Sequence, residues 1–114
     1  MFEPLAMSLE RWPDLKKLSL RGYNNITDKG VRHNKLEELH LSWCKNLSDA
    51  ALSDIGTCPR LRTLDVAWCS KITGRQLYKI IQKGRLASLN IRNCTKIPLI
   101  TARLLSSSGV IVFR

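Results

Sequence analysis

The chain has no long apolar run, no low-complexity tract, and only 9 acidic residues against 19 Lys and Arg among its 114. Its longest apolar stretches are a few residues, far below the roughly 20 needed to span a bilayer, so no membrane partner is expected. Residues 1–10 lack the basic start and apolar stretch of a signal peptide, and Glu3 and Glu10 make them too acidic for a transit peptide. The expected setting is therefore the cytosol or nucleus ahead of the mitochondrion. There is no CxxC pair, glycine-rich phosphate loop, HExxH or acidic calcium loop, so neither a metal nor a cofactor is expected, and an enzyme has little to stand on. At 44% hydrophobic residues the chain can bury a real core, and its length suits one domain, 1–114.

The formal net charge of +10 points to an acidic partner, either a protein surface or nucleic acid. The basic residues are spread along the chain, with Lys16–Lys17 and Arg60/Arg62 the tightest pairs. That spread reads as a solvated face rather than a groove. No RNA- or DNA-binding motif is present, so an acidic protein is favoured over nucleic acid.

Self-similarity is the dominant feature. Four segments align: LKKLSLRGY (15–23), LEELHLSWC (36–44), LRTLDVAWC (61–69) and LASLNIRNC (86–94), each followed by two residues and then an aliphatic, Ile26, Leu47, Ile72 or Ile97. Apolar residues at the first, fourth and sixth positions face one core, the last two alternating as in a strand. Helical spacing follows in Ser48–Ile55 (Ala51, Leu52, Ile55) and Thr73–Gln82 (Leu77, Ile80, Ile81). Ser48 suits an N-cap, Thr73 with Gln76 has capping-box spacing, Gly56 and Gly84 stand where helices end, and Pro98 opens the last helix.

A strand and a helix cannot bury their apolar sides alone, whereas stacked repeats can. The fold class expected is α/β: a short right-handed leucine-rich-repeat solenoid, with a parallel sheet on the concave face and helices on the convex face. Repeats start near 15, 36, 61 and 86. Residues 1–14 are the expected N-terminal cap, with Phe2, Leu5, Met7 and Leu9 or Trp12 covering the first strand. The first repeat is four residues short between Asp28 and Lys35, which predicts one helical turn at most and a thin convex wall there. Residues 110–114 fall where a fifth strand begins, leaving an apolar edge for a partner or for further repeats to cover.

Residues 36–52, LEELHLSWCKNLSDAAL, and Leu61–Leu77 resemble the cysteine-containing repeats of F-box/LRR proteins, which read LxxLxLxxCxxITDxGL and continue with a gCpxL step. Ile26-Thr-Asp-Lys-Gly-Val31 and Thr57-Cys-Pro-Arg-Leu61 supply those pieces. The resemblance covers residues 12–109, and no segment resembles an F-box. It implies binding of a protein partner, in that family a substrate held for an SCF-type ubiquitin ligase, with ligase components as further partners. The same repeat occurs in proteins without an F-box, among them a mitotic-exit antagonist and mitochondrial assembly factors similar to ATP synthase subunit s. The alternative is thus a structural or assembly subunit of a mitochondrial or RNA-containing complex, using its basic surface.

Strands about 4.8 Å apart turn equivalent positions into columns. The third, fifth, seventh and eighth positions form columns on the concave face or its rim: Lys17/Glu38/Thr63/Ser88, Ser19/His40/Asp65/Asn90, Arg21/Ser42/Ala67/Arg92 and Gly22/Trp43/Trp68/Asn93. Trp43 and Trp68 are expected neighbours and a candidate hot spot. Lys17, Arg21 and Arg92 place positive charge at the ends of the face. Ser19, His40 and Asp65 follow the order of a catalytic triad, yet side chains on neighbouring parallel strands project in parallel and nothing supplies an oxyanion hole. A His40–Asp65 hydrogen bond is the expectation, with no catalytic residue. Cys44, Cys69 and Cys94 are read as small core residues under the turn, Cys58 as buried, and His33 as exposed.

Overall fold

The computed structural model describes residues 12–26 and 31–114. Five three-residue strands form one parallel sheet in chain order: β1 (Lys17–Ser19), β2 (Glu38–His40), β3 (Thr63–Asp65), β4 (Ser88–Asn90) and β5 (Ile111–Phe113). Three helices connect the later strands: α1 (Asp49–Ile55), α2 (Arg75–Gln82) and α3 (Leu99–Ser106). Pairing follows the repeat register, Lys17 to Glu38 to Thr63 to Ser88 to Ile111, and Ser19 to His40 to Asp65 to Asn90 to Phe113. The first two columns therefore gain an apolar end, Ile111 and Phe113, that the four-repeat alignment did not extend to.

Such short strands hold because each is buried sideways by the next repeat. Leu39, Leu64 and Leu89, paired in register, are fully buried, each contributing about 1.5–3 kcal/mol. Leu36, Leu41, Leu47, Leu52, Ile55, Val66, Ile72 and Leu77 complete the interior between sheet and helices. At the first strand Leu15, Leu18 and Leu20 are only partly buried. The proposed cap lies mostly outside the described residues. Trp12, within them, is 54% exposed, while its carbonyl accepts from His33 Nε2 at 2.7 Å. His33 also accepts from the Lys35 N–H through Nδ1, so it is a half-buried link between the lead-in to β1 and the lead-in to β2 rather than an exposed side chain. No helix occurs among the described residues between β1 and β2; the rest of that shortened segment lies outside them.

Ser48 caps α1, its side chain accepting from the Ala51 N–H. Thr73 does not cap α2 as its spacing to Gln76 suggested. Its N–H and hydroxyl both donate to Asp49, at the start of α1. Gly74, in the left-handed region at φ 95°, precedes α2 instead. The non-local pair wins because one carboxylate serves as acceptor for both donors of Thr73 while favouring the positive end of α1. Pro98 stands one residue before α3, as its N-cap.

The four cysteines are buried and free. Each thiol donates to a carbonyl of the preceding repeat: Cys44 to Leu20, Cys69 to Leu41, Cys94 to Val66 and Cys58 to Val31, at 3.0–3.3 Å. Cysteine is thus a small core residue that also satisfies a carbonyl beside the turn. Burial raises all four thiol pKa values, that of Cys69 from 9.0 to about 12. In the folded chain these thiols are expected to resist a disulfide reagent such as DTNB at pH 8, all four reacting once urea unfolds it. A folded pKa above the unfolded one gives stability that is complete below pH 9. It is lost as the pH rises towards 12, because only the unfolded thiol ionises. Urea titrations at pH 8 and pH 10 check this: the midpoint should fall, and a midpoint that rises or holds contradicts it.

Candidate functional site

The chain leaves β1, β2, β3 and β4 through the same turn, and its turning residue is the fourth column. Gly22, Trp43, Trp68 and Asn93 have φ of 73°, 64°, 63° and 59°. The ladder continues into this turn: Gly22 N–H donates to Ser42, Trp43 N–H to Ala67 and Trp68 N–H to Arg92. Glycine and asparagine are the residues that adopt such backbone readily. Tryptophan is not, at about 1–2 kcal/mol per residue.

The two indoles stack face to face, centroids 4.4 Å apart and planes within 7°. An aromatic pair returns about 0.5–1.5 kcal/mol, less than two left-handed tryptophans cost, and both remain 44% exposed. Local backbone preference does not account for tryptophan at these two positions. Strain of this kind is a pointer to function.

The sheet face beside the pair carries groups of both signs. Glu38 lies 3.9 Å from Lys17 and 3.6 Å from His40 Nε2, while His40 Nδ1 lies 3.6 Å from Asp65. The predicted His40–Asp65 hydrogen bond is therefore replaced by a longer polar contact. The reason is that Asp65 Oδ1 is engaged by the Ala67 N–H in the turn, as Asn90 Oδ1 is by the Arg92 N–H. Partly exposed pairs of this type contribute about 0–1 kcal/mol, so the row marks polarity more than stability. Ala67, placed on the face by its column, is buried. Arg21 is exposed at the β1 end; Arg92, at the other, lies over the Phe113 ring at 5.2 Å.

Charge is distributed unequally between face and rim. The turn segments 20–26, 41–47, 66–72 and 91–97 contain Arg21, Lys45, Lys71, Arg92 and Lys96 and no carboxylate. All five are exposed. These cations are dispersed along the chain, which hid them, and the repeat gathers them at one end of the sheet. Counting charge turn by turn, instead of by runs, is the signal that finds them.

No helix among the described residues is long and apolar enough to cross a membrane. No group of three or more His, Cys, Asp or Glu among them is placed to hold a metal ion. At the far end of the array Leu99, Ile100 and Leu104 of α3 and Ile111 of β5 are exposed apolar residues.

A family model described as Leucine Rich repeat matches residues 32–56, the second repeat from its lead-in to Gly56. Domains built of such repeats generally mediate protein–protein interaction and are typically non-enzymatic. The match, with five parallel strands in chain order and helices closing the opposite side, identifies the chain as an α/β leucine-rich-repeat solenoid.

Proposed function

We propose that the chain is a protein-recognition module that holds its partner on the rim formed by Trp43 and Trp68 and on the sheet face next to it. The observation that carries this reading is the stacked, half-exposed indole pair held on left-handed backbone. Rigid aromatics beside a polar face are the usual makings of a binding hot spot. Lys17, Arg21, His40, Asp65 and Arg92 supply the surrounding polar contacts. The resemblance to F-box/LRR repeats supports a specific form of this role, in which the partner is a substrate for an SCF-type ubiquitin ligase, and the cytosol or nucleus is the proposed setting.

Affinity capture from cells with mass spectrometry names the partner, and titration against the purified partner tests the site. Trp43→Ala and Trp68→Ala are each expected to weaken binding by about 30-fold or more, with the circular dichroism spectrum unchanged. The reading fails if neither substitution alters the affinity of any captured partner. The cationic rim favours a second reading, an assembly subunit packed against RNA. That binding would fall steeply between 50 and 200 mM salt and would survive loss of the indoles better than loss of Lys45 and Lys71.

A further inference from the structure

We infer that the vacant rung at Gly22 is a slot for one aromatic side chain, inserted against the outer face of Trp43 by an acidic peptide segment of the partner. The inference rests on the recognition role proposed above and names the chemistry it selects.

Geometry comes first. Gly22, Trp43, Trp68 and Asn93 are successive rungs of one column, and the indole spacing of 4.4 Å is close to the strand spacing of about 4.8 Å. The stack axis therefore follows the column. One face of each indole is used against the other. Beyond Trp68 the next rung is Asn93, which carries a side chain. Beyond Trp43 it is Gly22, where no atom among the described residues lies within 4 Å of the place a Cβ would occupy. Among the described residues the column is thus one planar group short at that end, and the second face of Trp43 is turned towards the gap.

Electrostatics selects what accompanies the ring. Arg21 adjoins the slot, and Lys45, Lys71, Arg92 and Lys96 continue the rim without a carboxylate. An extended peptide with Asp or Glu on either side of its aromatic residue matches that row. A run of nucleobases matches less well. The column offers a single open planar position, whereas successive bases would need several.

The decisive substitution is Gly22→Asn. Asparagine tolerates left-handed backbone and already stands at the equivalent rung in Asn93, so the variant fills the slot without disturbing the turn. Its melting curve verifies that.

Wild-type chain is used to select from a random 12-residue peptide library displayed on phage, and the selected peptides are titrated against wild type and variants. The expected peptides carry one aromatic residue flanked by Asp or Glu. Replacing that aromatic by Ala should weaken binding about 10-fold or more, Gly22→Asn should do the same, and the two changes together should cost no more than one.

The inference is overturned if no peptide is enriched, if enriched peptides lack the aromatic, or if Gly22→Asn binds them as tightly as wild type. Should that last result accompany a loss of binding in Trp43→Ala and Trp68→Ala, the slot is wrong and the recognition role stands. A single-stranded oligouridylate that binds more tightly than the selected peptides, and is lost in Gly22→Asn, would also overturn it, because the ligand class would then be nucleic acid.

Discussion

Leu64→Ala is expected to lower the folding stability by about 3–5 kcal/mol, the range seen when a fully enclosed leucine is cut to alanine and its surroundings cannot close up. For a chain of this length that is a fall in Tm on the order of 15 °C. Leu64 is fully buried and paired in register with Leu39 on one side and Leu89 on the other. Those two leucines are in turn fixed by their own repeats, so the hole cannot be filled by relaxation. Leu18, its equivalent on β1, has one neighbouring strand among the described residues and is partly buried. Leu18→Ala should therefore cost less than half as much. Thermal and urea unfolding of the two variants check this, and equal losses at both positions would contradict the enclosed-centre account.

The second large effect is expected at Gly74, where alanine should cost about 2–4 kcal/mol. Two causes add. The backbone sits at φ 95°, where any L side chain is strained. A Cβ there would also stand 2.8 Å from Thr101 Cγ2 and 3.3 Å from Ile97 Cγ2. Both are methyls on β-branched side chains, which are stiff at χ1 and cannot swing aside. Gly84 separates the causes: at φ 78° it has nothing within 4 Å among the described residues, so Gly84→Ala should show the backbone cost alone, about 1–2 kcal/mol. Adding Thr101→Ser to Gly74→Ala removes the nearest methyl and should restore part of the loss. No restoration would mean that the clash is not what matters.

Much of this arrangement is legible in the sequence, because the repeat encodes it redundantly. Aliphatic residues at the first, fourth and sixth positions place Leu39, Leu64 and Leu89 inside, and the columns read from alignment reappear as strand register. The neighbouring of Trp43 and Trp68 follows from the same periodicity. What the pattern does not carry is competition for individual hydrogen-bonding groups. Asp65 is drawn to the Ala67 N–H instead of His40, and Thr73 to Asp49 of the previous repeat instead of its own helix. A thiol read as an apolar filler turns out to donate to a carbonyl. His33, judged by its place in a shortened repeat, is held by Trp12 and Lys35.

The left-handed turn had a trace that was available, Gly22 and Asn93 in one column with the two tryptophans. Its meaning depends on reading tryptophan as the exception there. The cationic rim was equally present. It is invisible to a search for contiguous charge, since its members stand 20 or more residues apart except for Arg92 and Lys96. Periodicity reports which residues share a core; it reports poorly on which donor finds which acceptor, because that is settled by a few tenths of an ångström across repeats.

The strand order β1-β2-β3-β4-β5 bears on how the molecule opens. Among the described residues each strand pairs with the ones before and after it, so in this chain amide hydrogens in β1 and β5 should exchange sooner than those in β2, β3 and β4. The turns that carry Trp43 and Trp68 leave β2 and β3, one full strand in from one end and two from the other. The indole pair is thus carried by the slowest-exchanging part of the chain, and the end strands can open and re-form without separating Trp43 from Trp68.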